Sequence, residues 1–336
     1  MKSVALFNNR GGVGKTMLVY HLAAMFSELG ARVLAVDLDP QANLTAMCVA
    51  DQEYLALWPD GSHPRTLLGA VGPVMNGTGD AVAPKVIEVD PRFALLAGDL
   101  TLGSFEGALA QNWLDALNGS ADAVRRMTAF ARIVTEASAD WNADLVLIDV
   151  GSNLGALNRA ALIAADHVIV PLAPDPFALQ ALRSLGPALG AWQQEWRDRD
   201  KCNLDGSLAL PQGGMQPMGY VVLHHAMRLD RPVFTHGRWM QQIRSGYSRY
   251  VIGCAQEASG DSHADTQCLG TIRNYRSLMP LAVDSRKPMF ALQSADGALG
   301  AYRDAVGSCY REFRALSEEV ARRLDVDLPI LRGLAS

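Results

Sequence analysis

The sequence predicts an α/β fold in which a doubly wound, mostly parallel β-sheet carries helices on both faces. Two observations lead to this prediction. The first forty residues read as strand, loop, helix and strand, and short apolar runs continue to alternate with longer amphipathic stretches along the chain. A strand, a crossover helix and a second strand give parallel pairing, so such a sheet needs helices to cover it.

The individual elements follow from the hydrophobic pattern. Five apolar runs predict strands at residues 4–7, 32–36, 145–148, 167–171 and 218–223, and residues 268–272 are a weaker sixth. Apolar residues at near-helical spacing predict a helix over residues 17–29, and Gly30 stands where a helix-ending glycine belongs. Further helices are predicted over residues 154–165 and 302–324, the latter packing on the core through one apolar face.

Residues 1–336 are predicted to form a single domain with one excursion. No internal repeat or low-complexity tract divides the chain. Residues 50–90 are rich in turn-forming Pro, Gly and Asn, so residues 50–135 are predicted to be an insertion with helices and long loops.

Composition narrows the class of protein. With 49% hydrophobic and 19% charged residues, the chain is not extensively disordered, and its net charge of −5 argues against electrostatic binding of nucleic acid by the chain as a whole. No apolar run approaches the roughly 18 residues that a membrane span needs. Five scattered cysteines without a C-x-x-C pair favour free thiols, and hence a cytoplasmic protein. Residues 328–334 carry a single arginine, too few for a membrane-targeting helix, so no membrane partner is expected.

A glycine-rich loop follows the first strand, where residues 10–16 read RGGVGKT. Its glycines free the backbone to turn N–H groups inward, the start of the next helix lies behind them, and Lys15 supplies a cation for phosphates. Thr16 places a hydroxyl where Mg²⁺ can bind. The sequence therefore predicts a nucleotide-phosphate site formed by Gly11, Gly12, Val13, Gly14, Lys15, Thr16 and Met17.

The loop resembles that of the deviant Walker-A ATPases of the ParA/MinD family, whose pattern is K/R-G-G-x-G-K-T. Residues 37–45 (DLDPQANLT) are similar to the family's D-x-D-P-Q-x-N motif, and residues 145–149 (LVLID) to its Walker-B strand. Residues 168–182 (VIVPLAPDPFALQAL) resemble its P-x-x-P-x-x-x-A-L segment. A looser likeness places Arg273 and Asn274, followed by Lys287 and Pro288, in the family's nucleotide-side loop.

This resemblance implies a P-loop NTPase fold, ATP and Mg²⁺ as cofactors, and a homodimer that forms around ATP. Asp149 and Thr16 would hold Mg²⁺, and Asp37 would support the metal shell. Asp39 would position or activate the attacking water, and with Lys15 and Arg10 it makes up the expected catalytic set. The alternative for each aspartate is a cap or turn residue after a strand.

Two positions depart from the family's pattern. Arg10 stands where the family usually has a lysine that reaches the phosphates of the partner subunit. Arginine keeps the charge and can donate two parallel hydrogen bonds, so the cross-dimer role remains expected; a surface arginine is the alternative. Gly151 and Ser152 stand where the family typically has two prolines, which predicts a more flexible switch II.

The resemblance implies a ParA-like switch ATPase with slow hydrolysis, acting in the partitioning of DNA, plasmids or other cargo. An arginine-rich segment could contact non-specific DNA or a protein partner, the alternative being a solvated helix surface; it comprises Arg228, Arg231, Arg238, Arg244 and Arg249. One alternative is an accessory regulatory ATPase that acts on a protein partner without binding DNA. Others are an iron–sulfur relative like the nitrogenase iron protein and a nucleotide-binding module without hydrolysis.

Overall fold

The fold is given by a computed structural model that describes residues 1–59, 63–200, 210–225, 227–228, 231–232, 234–254, 265–275 and 277–330. Side chains at 199–200 and 224–236 lie outside this description. Eight strands form the main sheet: β1 (Lys2–Leu6), β2 (Val33–Asp37), β3 (Val86–Asp90), β4 (Phe93–Leu96), β5 (Leu145–Asp149), β6 (His167–Leu172), β7 (Gln216–His225) and β10 (Cys268–Arg273). A small hairpin contains β8 (Met227–Arg228) and β9 (Arg231–Pro232).

The α-helices connect and cover these strands. They are α1 (Lys15–Glu28), α2 (Asn43–Cys48), α3 (Asp51–Leu55), α4 (Leu67–Met75), α5 (Glu106–Leu117), α6 (Ala121–Met127), α7 (Ala129–Asp140), α8 (Ala156–Leu162), α9 (Pro176–Asp200), α10 (Phe234–Tyr247), α11 (Met279–Ser285) and α12 (Ala301–Leu324). Short 3₁₀ segments at Leu100–Phe105, Met289–Ala291 and Ser294–Asp296 and a π-turn at Ser248–Ile252 complete the described elements.

The sheet has the strand order β10-β7-β6-β1-β5-β2-β4-β3. All neighbours pair in parallel except β3, which is antiparallel to β4 at the edge. The doubly wound, mostly parallel fold predicted from the sequence is therefore confirmed. Because β1, β5 and β2 are adjacent, their carboxyl ends meet at one edge, which is where ligands bind in open α/β sheets.

Alternate residues of the central strands enter two separate cores. Ala5, Leu34 and Val146 point into the core built with helices α4 to α10, whereas Val4, Val33 and Leu145 point into the core built with α1, α2, α11 and α12. All six of these side chains are fully buried. Burial on both faces is expected of strands in a parallel sheet, and it fixes the register that aligns the strand ends.

The prediction of long loops over residues 50–90 was wrong at its carboxyl end. Residues 86–96 form the β3–β4 hairpin, and β4 pairs in parallel with β2 from Val33 to Val36. The run Phe93–Leu96 is only four residues long and β3 is only partly buried, so neither gave a clear periodic signal. The division of the chain into one domain with an insertion at 50–135 stays a prediction.

The amphipathic helix predicted at residues 302–324 is confirmed as α12, which packs on β10 and α1. Its buried face includes Phe313, Leu316 and Val320. Among the described residues, no helix has both the length and the apolar character needed to cross a bilayer.

Candidate nucleotide site

The phosphate loop, residues 10–16, joins β1 to α1 and adopts a conformation that its glycines permit. Gly12 and Gly14 have φ angles of 73° and 94°, in the left-handed region that L-residues with a side chain rarely adopt. The Leu18 N–H donates to the Gly14 carbonyl oxygen at 2.9 Å, so the first turn of α1 begins directly after the loop. The loop therefore turns into a helix amino terminus, the arrangement that binds phosphate.

Lys15 is the buried cation of this loop, with only 6% of its surface exposed. Its Nζ donates to the carbonyl oxygen of Arg10 at 3.4 Å. Burial lowers the pKa of Lys15, and the nearby negative charges of Asp149 and Asp39 oppose that effect. An anion placed above the loop would stabilise the charged ammonium.

Asp37 and Asp149 end neighbouring strands and are register partners in the β2–β5 pair. Both side chains are fully buried. Neither oxygen of Asp149, nor Oδ1 of Asp37, has a hydrogen-bond partner among the described residues. Burial raises the pKa of Asp37 to about 7 and that of Asp149 well above its ordinary value. The negative charge of Asp37 raises the pKa of Asp149 further, and that of Asp39 raises the pKa of both.

Three buried carboxylate oxygens without a hydrogen-bond partner among the described residues, both of Asp149 and Oδ1 of Asp37, lie next to a threonine hydroxyl and fit a divalent cation. The Thr16 side chain lowers the pKa of Asp149, which indicates that the hydroxyl lies beside that carboxyl. Carboxylate and hydroxyl oxygens are the ligands that Mg²⁺ prefers, and it usually takes only one or two carboxylates together with phosphate and water. No group of three or more His, Cys, Asp or Glu residues that could hold a metal occurs in the part of the chain described.

Asp37 is held by hydrogen bonds that the sequence did not predict. Its Oδ2 accepts hydrogen bonds from the backbone N–H and the hydroxyl of Thr45, at 2.8 and 2.7 Å. The Gly98 N–H in turn donates to the Thr45 hydroxyl at 2.8 Å. A Cβ at Gly98 would lie only 2.8 Å from the Asp37 carboxyl carbon, so glycine is required after β4 for close approach. The motif at residues 37–45 does not indicate that Gly98 takes part in this contact.

A cavity of about 640 Å³ opens above the phosphate loop. It brings together most of the residues predicted to bind nucleotide, namely Gly11, Gly12, Gly14, Lys15, Thr16, Met17, Arg273 and Asn274. Asp39 also lines this cavity, and its Oδ1 accepts a hydrogen bond from the Gln41 N–H at 3.0 Å. Val13, Asp37 and Asp149 are buried beneath it.

The far wall of the cavity includes the loop that follows β10 and the loop that follows α11. Arg273 is bound by α12, because its Nε and its backbone N–H donate to the two carboxylate oxygens of Glu312 at 2.5 and 2.9 Å. Across the cavity, the buried His21 of α1 accepts the Met289 N–H at Nε2 and contacts the Met17 carbonyl oxygen through Nδ1. The helix behind the phosphate loop is thus tied to the opposite wall.

Arg10 lies at the edge of the phosphate loop and is bound within its own chain. Its Nη1 donates to both carboxylate oxygens of Asp175, at 2.6 and 2.7 Å, and its guanidinium lies 4.9 Å from the ring centroid of Phe177. About a third of the Arg10 side chain is exposed. Arg10 is outside the cavity lining, which leaves its predicted contact with a second subunit a prediction.

The arginine-rich segment is described only in part. Arg238 and Arg249 are exposed and Arg244 is half-buried, on α10 and the π-turn that follows it. The side chains of Arg228 and Arg231 lie outside the described residues.

The fold and cavity define a P-loop nucleotide-binding protein, and the comparisons with known proteins agree. A family model described as "AAA domain" matches residues 1–201. Protein IncC of Escherichia coli is 33% identical over 185 residues, covering 55% of this chain and 44% of IncC. The chromosome-partitioning ATPase Soj of Thermus thermophilus is 30% identical over 185 residues, covering 55% of this chain and 60% of Soj.

Two solved structures share the fold over almost the whole chain. Protein DIP2308 of Corynebacterium diphtheriae aligns with a TM-score of 0.72 at 21% identity and covers 96% of this chain and 99% of its own. An ATP complex of a McdA variant from Cyanothece aligns with a TM-score of 0.62 at 14% identity, covering 97% of each chain.

This chain belongs to the AAA-domain family matched by that model, and its similarity to IncC and Soj agrees with the ParA/MinD resemblance of its motifs. The ParA/MinD resemblance found in the sequence is therefore confirmed. The matched region spans only about half the length of the curated relatives.

Proposed function

We propose that this chain binds Mg·ATP in the cavity above the phosphate loop, dimerises around the nucleotide and uses slow hydrolysis as a switch in the partitioning of DNA or other cargo. The observation that carries the proposal is that Lys15 and Asp39 line the cavity above two buried carboxyls, Asp37 and Asp149, of which three oxygens lack a hydrogen-bond partner among the described residues. That set provides a cation for phosphate, ligands for Mg²⁺ and a carboxylate for water.

Each residue then has a distinct role. The inward N–H groups of the loop and Lys15 bind the phosphates, and the loop after β10 contacts the base. Thr16 and Asp149 would hold Mg²⁺, with Asp37 in support, and the ion would neutralise phosphate charge. Asp39 accepts a hydrogen bond from the attacking water and orients it. Arg10 leaves Asp175 to contact the phosphates of a second subunit.

A phosphate-release assay tests the hydrolysis. We expect Mg²⁺-dependent turnover that is specific for ATP and absent in Lys15→Ala. Arg311→Ala provides a control, since this exposed arginine of α12 contacts only Ser308 among the described hydrogen bonds. If the parent and Lys15→Ala release phosphate at the same rate, the activity comes from a contaminant and the site assignment fails.

The partitioning role has a competitor that one observation favours. The net charge of −5 fits an accessory ATPase that acts on a protein partner. Partitioning over DNA predicts retention on duplex DNA that requires ATP, weakens with salt, and is lost when Arg238 and Arg244 are changed to Glu while ATP affinity is kept. If the double variant is retained on DNA as well as the parent at low salt, the arginine-rich segment does not bind DNA. If the parent is not retained at all, a protein partner is favoured.

A further inference from the structure

The loop between Asp149 and α8, residues 150–155, is referred to here as the switch II loop. It contains Gly151 and Gly155, which restrict the backbone very little. Ser152 of this loop lies against the phosphate loop, since a Cβ placed on Gly11 would be 3.4 Å from the Ser152 hydroxyl oxygen. Ser152 also lines the nucleotide cavity. The position of this loop therefore bears directly on the site.

Asn158 clamps the first half of the switch II loop. This side chain belongs to α8 and is 1% exposed. Its Oδ1 accepts the Gly151 N–H at 3.0 Å, while its Nδ2 donates to the carbonyl oxygens of Gly151 and Asn153, both at 2.9 Å. Because a backbone N–H can only donate and a carbonyl can only accept, the amide has one orientation. The buried amide is satisfied by this loop.

Glu106, from a different part of the chain, fixes the start of α8, where the switch II loop ends. It begins α5, fifty residues earlier, and its carboxylate accepts the Ala156 N–H at 2.6 Å and the Leu157 N–H at 2.9 Å. These are donors that the first turn of α8 cannot satisfy internally. A Cβ on Gly155 would lie 2.6 Å from Glu106 Oε1, so the loop and the carboxylate are in close contact.

We propose that Glu106 and Asn158 are positioning residues for ATP hydrolysis, which hold the switch II loop so that Asp149 and Ser152 face Mg·ATP. The inference rests on the proposed ATPase function. Neither residue lines the cavity, so both act through the loop. Side-chain hydrogen bonds here replace the restraint that prolines at positions 151 and 152 would provide. A proline at position 151 would also remove the N–H that Asn158 accepts.

Removing either clamp should affect turnover more than nucleotide binding. In Asn158→Ala and Glu106→Ala, kcat should fall on the order of tenfold to a hundredfold, because a displaced group at a reacting centre costs rates of that size. The KM for ATP should stay within about twofold, since the phosphate loop is intact. Glu106→Gln keeps one acceptor oxygen and should fall between Glu106→Ala and the parent. Gln111→Ala is the matched control, because Gln111 lies on α5 and, among the described side-chain hydrogen bonds, contacts only Asp115.

Hydrogen exchange supplies a readout that does not depend on turnover. Mg·ATP should slow amide exchange over residues 150–157 in the parent and in Gln111→Ala, but much less in Asn158→Ala and Glu106→Ala. All variants should melt as a single cooperative unit, and Glu106→Gln provides the test if either alanine variant fails to fold. A parent that binds ATP without releasing phosphate would count against the proposed function and against a role of these residues in hydrolysis, whereas the exchange comparison would still decide whether they hold the loop against Mg·ATP. Parent-like exchange and kcat in the variants, or equal losses of kcat and ATP affinity, would overturn it.

Discussion

The two sides of the nucleotide cavity are held in place by different means. The phosphate side, residues 10–16, takes its shape from its own backbone, through Gly12 and Gly14 in left-handed conformations. The carboxylate side, formed by Asp37, Asp149 and the loops after their strands, depends on contacts with distant residues such as Gly98 and Glu106. The comparison indicates that the phosphate side is preformed for binding, whereas the carboxylate side can be altered separately and would govern the proposed hydrolysis.

The largest expected effect lies on the phosphate side. Lys15→Ala should abolish ATP binding, with affinity reduced at least about a hundredfold, because the charge-assisted contacts to the phosphates are lost from a buried position. Calorimetric titration with ATP measures this directly. Submicromolar affinity in the variant would show that the loop is not the phosphate site.

On the carboxylate side, Asp39→Ala should separate binding from hydrolysis. ATP affinity should remain near that of the parent, while kcat falls by about 10²–10⁴-fold, the usual contribution of a group that handles the water proton. Single-turnover phosphate release is the appropriate measurement. Turnover at the parental rate would mean that Asp39 only stabilises the local turn, in which it accepts a hydrogen bond from the Gln41 N–H.

Arg10 lies at the edge of the phosphate side, and changing it tests the proposed contact between subunits. Arg10→Ala should leave ATP affinity of the monomer within about twofold, because Arg10 is bound to Asp175 rather than facing the cavity. Dimerisation and turnover should fall by roughly tenfold, and Arg10→Lys should recover much of both, since it keeps the charge. An alanine variant that dimerises and hydrolyses ATP like the parent would exclude the contact between subunits.

The smallest effect concerns the helix behind the phosphate loop. Burial lowers the pKa of His21 to about 4, so in the folded protein it stays neutral where the unfolded chain already takes up a proton. Stability from neutral His21 is complete above the unfolded pKa of 6.5 and is lost as pH falls toward 4. We expect the parent to lose about 4 °C more in Tm between pH 7 and pH 5 than His21→Gln does. Parallel Tm profiles for the two proteins would contradict this.

The place and conformation of the phosphate loop could be predicted from the sequence because its signal is local, whereas its binding of nucleotide stays a prediction. Gly12, Gly14 and Lys15 lie within four residues, and the strand and helix around them have clear apolar periods. Asp37 and Asp149 could be placed together because parallel strands end at the same edge. Contacts between residues far apart in the chain left no pattern, including Arg10 with Asp175, Thr45 with Gly98, and Ala156 with Glu106. The β3–β4 hairpin was also not predicted, because its strands are short and the pairing of β4 with β2 leaves no pattern in the local sequence.

The central claim, that ATP assembles two copies of this chain and hydrolysis releases them, is tested most directly by sedimentation equilibrium of Asp39→Ala with Mg²⁺ and either ATP or ADP. The account predicts the mass of a dimer with ATP, the mass of a monomer with ADP, and a monomer under both conditions when Lys15→Ala is added. The same mass with both nucleotides, or a dimer that persists without Lys15, would contradict it.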